Sequence, residues 1–215
     1  MKTQKHMIMR MYEDYLMLLS PPETVKQEIA RYKKASAKLI GDFKSMDSPA
    51  HISIMHMERQ KPFMEDRSMQ MMESSLAALP PVLLHVDGFN YFPHLHNKMT
   101  IYAHIRSTPS VEQWFRHLKA VLKIKKTLLP HITIARNIPE DDFNILWPNF
   151  RQRHMVEPFW INELKVKKRE TFGYSPKWED FKTFRFKNPI GFEHQIDTLI
   201  KKHIQPGNQN QINLF

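Results

Sequence analysis

The tetrapeptides His51-Ile52-Ser53-Ile54 and His131-Ile132-Thr133-Ile134 stand about eighty residues apart in a chain of 215. Among twelve His a lone His-x-Ser/Thr is unremarkable, but Ile on both flanks lowers the chance of even one copy to about one in a hundred. The surroundings repeat as well. Tyr12–Leu19 is strand-like, Pro21-Pro22-Glu23 opens a helix to Ile40, His51–Met57 is a second strand, Asp66–Leu79 a helix and Val82–Tyr91 a strand. After the polar break His96-Asn97-Lys98 the order resumes with a strand at Met99–Arg106 and a helix start at Ser107-Thr108-Pro109-Ser110. Val111, Trp114, Phe115, Leu118, Val121 and Leu122 then mark one helical face. His131–Ala135 is the matching strand, Pro139-Glu140-Asp141-Asp142 starts a helix to Phe150, Phe159–Lys168 is a strand, and Lys182–Phe186 a further one. Each tetrapeptide thus holds third place in a strand-helix-strand-helix-strand unit. The expected fold is an α+β domain of two lobes about a pseudo-twofold axis, which brings equivalent strands together across a central cleft.

Side chains alternate along a strand, so His51 and Ser53 share one face while Ile52 and Ile54 share the other. His131 and Thr133 divide from Ile132 and Ile134 in the same way. The aliphatic pair anchors the strand in a core, leaving an imidazole and a hydroxyl about 7 Å apart on the open face. Two imidazoles suit phosphodiester cleavage, because one can take a proton from the attacking oxygen while the other gives one to the leaving oxygen. Their ordinary pKa of about 6.5 leaves both protonation states accessible near neutrality. The hydroxyls can hold nonbridging phosphate oxygens, and the scheme calls on no cofactor.

On these residues the chain resembles the 2H phosphoesterase superfamily, named for two H-x-[ST]-x motifs, and especially its bacterial branch of RNA 2′,3′-cyclic phosphodiesterases and 2′-5′ RNA ligase-like proteins. His131-Ile132-Thr133-Ile134-Ala135-Arg136 is similar to that branch's second motif, trailing Arg included. Gly88-Phe89 with Phe92-Pro93 is similar to the strand end that follows the first lobe. The resemblance covers about residues 12–187. It implies a bilobal fold in which antiparallel sheets line the cleft and helices pack outside; the domain is read as 1–187, with lobes near 12–95 and 96–187 and strand exchange between them left open. It also implies catalytic His51 and His131, phosphate-binding Ser53 and Thr133, and Arg136 as a cleft residue. Ser53 replaces the more usual Thr and keeps the hydroxyl, whereas Met55-His56 departs from the family's aliphatic or aromatic residues and bears on the substrate. The activity expected is hydrolysis of a 2′,3′-cyclic phosphate or related nucleotide or RNA phosphodiester. The rival is a non-catalytic RNA- or nucleotide-binding module with the same fold, and which His is acid and which base stays open.

Composition narrows the classes. With 41% hydrophobic residues the chain can bury a substantial core, and with no Cys it has neither disulfides nor a thiolate nucleophile. Its five Gly form no phosphate-binding loop, so ATP-dependent chemistry has no support. A net charge of +10, concentrated at Lys119–Lys126, Lys165–Arg169 and Lys182–Lys187, either attracts a phosphate-bearing partner, which charge does not identify, or forms a solvated basic face. His94 and His96 have metal-ligand spacing, with His56, His85 or His104 as remote partners, but no carboxylate joins them; they are expected as loop histidines and no metal site is assigned. Tyr91 and Tyr174 are candidates to stack on a base, whereas Phe89 and Phe92 are expected in the core.

Arg10, Glu13 and Asp14 break up the Met-rich start before any leader core forms. No stretch has the length of a membrane span. A soluble, cytoplasmic monomer is expected. Beyond Pro189, the spacing of Phe192, Ile196, Leu199, Ile200 and Ile204 predicts a helix over 188–204, followed by a flexible tail, 205–215. The closing Gln211-Ile212-Asn213-Leu214-Phe215 either docks on its own domain or, being similar to the Q-L-x-L-F peptide of bacterial replication and repair proteins, contacts a sliding clamp through Gln211, Leu214 and Phe215.

Overall fold

The computed structural model describes residues 12–174 and 177–187. The start of the chain, the 188–204 helix and the clamp-like tail lie outside the described residues. Along the chain run β1 (Glu13–Leu19), α1 (Glu23–Ile40), β2 (Ile52–Gln60), α2 (Pro62–Ala77), β3 (Val82–His94) and β4 (Lys98–Ile105). Then follow α3 (Pro109–Val121), β5 (His131–Pro139), α4 (Glu140–Arg151), β6 (Val156–Ile161), β7 (Glu163–Glu170) and β8 (Glu179–Arg185). Helix α2 begins four residues before the expected Asp66, because Pro62 takes its first turn, where a fixed φ is an advantage and a missing N–H costs nothing. In α3 the Thr108 hydroxyl caps the Val111 N–H, and Val111, Trp114, Phe115 and Leu118 form the buried stripe.

All the strands join one antiparallel sheet in the order β6-β3-β4-β5-β2-β1-β7-β8. Its two four-stranded halves meet at one register pair, Ile52 opposite Ile132, so the expected pair of sheets is a single sheet with a narrow waist. Six strand intervals of about 4.8 Å would hold β6 and β7 about 29 Å apart if the sheet were flat. Only Asn162 separates them, and one residue spans at most about 7.6 Å between flanking Cα atoms. The sheet therefore folds over until its two halves approach at Asn162, where the Asn162 carbonyl also accepts the Phe186 N–H.

This crossing corrects the expected single strand Phe159–Lys168. Its first part, β6, pairs with β3 in one half, and its second, β7, pairs with β1 and β8 in the other. The buried residues are Phe159 and Ile161 before the break and Leu164 and Val166 after it, so the alternation changes phase at Asn162, a shift that the single-strand reading passed over. The same exchange puts β3 beside β4, while β7 and β8 extend the half built on β1 and β2.

The sheet has a core face and an accessible face. Tyr15, Met17, Leu19, Ile52, Ile54, Ile101, Ala103, Ile132 and Ile134 are all buried on the first. Helices α1 and α4 pack against β5 and each other, and α2 packs against β8 and α3. Complete burial of an aliphatic side chain stabilises by about 1.5–3 kcal/mol, so the Ile52 and Ile132 pair holds the waist.

Gly88 changes which residues reach the accessible face. Its φ of +73° lies in the left-handed region and its N–H donates to the Met155 carbonyl at 2.8 Å. The β3/β4 ladder slips by one residue between Val86 and Phe89. A one-residue bulge reverses every later side chain. Phe89 and Tyr91 thereby join the buried side of Ala103 and Ile101, and Asn90 and Phe92 join the side of Tyr102. A Cβ at Gly88 would meet nothing nearer than the Arg153 carbonyl at 3.9 Å, so Gly88→Ala should cost only the backbone penalty, about 1 kcal/mol, in urea unfolding.

Candidate active site

His51 immediately precedes β2 and His131 opens β5. The Nδ1–H of His51 donates to the Pro49 carbonyl at 2.8 Å, and that of His131 to the Leu129 carbonyl at 2.8 Å. A carbonyl can only accept, so each bond places the proton of the neutral ring on Nδ1 and leaves Nε2 available for proton transfer. The same i−2 contact in both motifs is a local consequence of the chain turning into a strand after Pro49-Ala50 and after Leu129-Pro130. Continuing the Ile52/Ile132 register by one residue each way sets His51 across from Thr133 and Ser53 across from His131. The antiparallel junction therefore crosses the two motifs, placing each imidazole beside the other's hydroxyl.

Burial lowers the pKa of both imidazoles. For His51 the positive groups Lys33, His131 and Arg136 push the same way, and the bond to Pro49 partly opposes them. For His131, Arg136 adds to burial and the bond to Leu129 opposes. Both rings thus feel Arg136, as a residue of one shared site would require. Edge-on contacts from Phe92 and Tyr102, each with its centroid 5.1 Å from the His131 ring, wall one side of that imidazole. The two aromatic rings stack on each other at 4.2 Å.

The other stacking candidates lie elsewhere. Tyr91 packs on Phe143 and Trp147 of α4, at 5.0 Å from each ring. Tyr174 is fully exposed beside Lys168, Arg169 and Lys177, on a depression of about 450 Å³ near the β7/β8 turn. Phe92, expected in the core, is the residue beside the catalytic candidate, because the bulge at Gly88 turned it there. His94 Nε2 lies 2.8 Å from the Thr100 hydroxyl. Among the described residues no three His, Asp or Glu side chains gather at metal-binding spacing.

Register also shows what shares the accessible face of the β1/β2/β7 half. Leu18 lies between Ser53 and Lys165, and Leu16 between His56 and Lys167. Arg169, opposite Asp14 in the next such row, lies 4.5 Å over the Trp178 ring, and His56 meets that ring edge-on at 5.7 Å. A strip of cations, each paired with a carboxylate, and of aromatic rings thus starts beside Ser53. The charge run Lys165–Arg169 signalled it in the sequence, but only strand pairing assigns Lys165, Lys167 and Arg169 to this face while Lys168 turns to Glu13 and Phe181. Lys33 and Ser45 give no motif at all.

A folded-over antiparallel sheet with helices on its core face, and two imidazoles beside two hydroxyls at its waist, is the fold of the 2H phosphoesterases. The profile of the 2′-5′ RNA ligase superfamily matches residues 21–171, and the chain belongs to that family. Solved structures similar to it include TT0787 of Thermus thermophilus, with a TM-score of 0.59 and 13% identity over 82% of this chain and 99% of that one. E. coli LigT complexed with 3′-AMP is similar at a TM-score of 0.59 and 11% identity, with the same coverage of 82% and 99%. LigT complexed with phosphate matches at a TM-score of 0.53 and 12% identity, again over 82% and 99%. No curated protein matches the chain. No helix among the described residues is long and apolar enough to cross a membrane.

Proposed function

We propose that this chain is a phosphodiesterase that hydrolyses a 2′,3′-cyclic phosphate or a related nucleotide or RNA phosphodiester, with His51 and His131 as its acid/base pair. The observation that carries the reading is the matched pinning of both rings at Nδ1, which leaves both Nε2 atoms free on the strand faces that carry Ser53 and Thr133. One neutral imidazole takes a proton from water as its oxygen bonds to phosphorus. The other, protonated, gives its proton to the ribose oxygen as the P–O bond breaks, so charge and protons balance. Ser53, Thr133 and Arg136 bind the nonbridging oxygens. The LigT complexes with 3′-AMP and phosphate support a nucleotide phosphate as the class of ligand.

The test is incubation with a panel of 2′,3′-cyclic nucleotides and cyclic-phosphate-ended RNAs, with and without EDTA. Hydrolysis that continues in EDTA is expected. Binding with no turnover across the panel would instead make the chain a nucleotide-binding module.

The pH profile follows from the shifted imidazoles. Activity rises as the base loses its proton and falls as the acid loses its own. Both pKa values in the free protein lie below the ordinary 6.5, so kcat/KM should trace a bell with its maximum on the acid side of that value. A bound phosphate anion favours the protonated rings, so the maximum in kcat should lie at higher pH than that in kcat/KM. A kcat/KM maximum above about 7.5 would contradict the assignment.

A further inference from the structure

Helix α1 buries Val25, Ile29, Lys33 and Ser36 along one stripe, and Lys33 is only 3% exposed. An ammonium at a core position is costly unless its donors are used. Here Nζ donates to the Ser45 carbonyl at 2.9 Å and the Ser48 carbonyl at 2.6 Å. Both carbonyls belong to the segment that joins α1 to His51. Burial lowers the Lys33 pKa to about 8, and Asp47, in the same segment, opposes that shift.

That segment is tied to both motifs. The Ser45 hydroxyl donates to the Ile134 carbonyl at 3.1 Å and accepts the Arg136 N–H at 3.0 Å, gripping β5 just past Thr133. Four residues on, the Pro49 carbonyl accepts the Nδ1–H of His51. From one lysine, then, two carbonyls lead to the backbone of the second motif through Ser45 and to the imidazole of the first through Ser48-Pro49.

We infer that Lys33 is a positioning residue, whose bonds to the 45–48 segment hold the His51 ring and the Ile134–Arg136 backbone in register across the waist of the sheet. The inference rests on the acid/base reading of His51 for its effect on rate, but not for its effect on structure. Among the described residues, Lys33 is the α1 side chain that bonds the carbonyls of segment 41–50, and a ring oriented by its bond to Pro49 turns when that segment shifts. A displacement of about 1 Å at a catalytic group can cost on the order of a hundredfold in rate.

The experiment uses the full chain with ¹⁵N-labelled imidazoles. In Lys33→Met, the signals of His51 should change from a single Nδ1–H tautomer to a mixture. Its pKa should rise, because a neighbouring cation is gone, and the Arg136 amide should exchange at least tenfold faster. With an active substrate, kcat should fall about 10- to 100-fold with KM little changed, and Lys33→Arg, which keeps the charge and donors, should restore part of it. A His51 tautomer and Arg136 protection identical to the parent's would overturn the inference, whatever happens to stability. If Lys33→Met does not fold, Lys33→Gln carries the test, since its shorter, neutral amide keeps a donor in the site but cannot serve both carbonyls. A mixed His51 tautomer and faster Arg136 exchange in that variant support the inference, and parent-like values of both defeat it. A parent with no turnover on any substrate would defeat the proposed activity while leaving these spectroscopic outcomes decisive for Lys33.

Discussion

Replacing either His51 or His131 by alanine should lower kcat/KM on a cyclic phosphodiester about a thousandfold. Positioned proton transfer contributes on the order of 10²–10⁴ in rate, and each ring serves one of the two transfers. The double variant should lose little more than the worse single variant, because acid and base act on one transition state and their losses do not multiply. The folds should survive, since neither ring belongs to the core and the flanking Ile52 and Ile132 remain fully buried. Thr133→Val should reduce the rate less, by about a hundredfold, as the loss of one donor to a developing oxyanion does. Rates are to be compared at each variant's own pH maximum. If either alanine variant keeps within tenfold of the parent, acid/base catalysis by the pair is ruled out.

Asp14→Ala should destabilise the fold by about 1–3 kcal/mol, the cost of leaving its hydrogen-bond donors without an acceptor. Asp14 is 3% exposed. Its carboxylate accepts the Arg59 N–H at 3.1 Å, the Thr171 hydroxyl at 2.7 Å, and two nitrogens of Arg169, Nε at 3.0 Å and Nη2 at 2.9 Å. It thereby ties β1 to β2 and β7. The Arg59 contact also holds a residue at φ +55°, where the β1/β2 ladder is irregular. Burial alone would raise the Asp14 pKa, but the bonds from Arg59, Thr171 and Arg169 together leave it below the ordinary carboxylate value. A lowered folded pKa means that this contribution is present above the unfolded value of about 3.9 and is lost as pH falls through the folded one. Urea unfolding at neutral pH and at about pH 3 checks both claims. Asp14→Ala should lose more stability at neutral pH than at about pH 3, and a loss below about 1 kcal/mol at neutral pH would show that the ties are dispensable.

Some of this was legible because it is local. Alternation alone divides His51 and Ser53 from Ile52 and Ile54, and the burial of the two isoleucines beside an exposed Ser53 follows that division. The face of α3 and its Thr108 cap follow from periodicity and a hydroxyl before Pro109. Lys33 carried a trace of a signal, a charge at a buried place in the α1 stripe, yet nothing nearby names its partners, which are backbone carbonyls 12 and 15 residues away.

The misplaced residues share a cause. Tyr91 and Phe92 exchange faces because one left-handed glycine inserts a residue into the ladder, and alternation carries no record of an insertion. The stretch from Val156 to Glu170 divides at Asn162 because its two parts find partners in different halves of the sheet. By itself, then, the sequence determined the family, the strand-borne His and hydroxyl pairs and most of the elements, since these depend on residues within a few positions of one another. Only the tertiary structure decided which half each strand joins, how the motifs cross at Ile52 and Ile132, and that Phe92, Lys33 and Ser45 attend the site. Those are matters of register between segments far apart in the chain, and a one-residue change in register redirects every side chain beyond it.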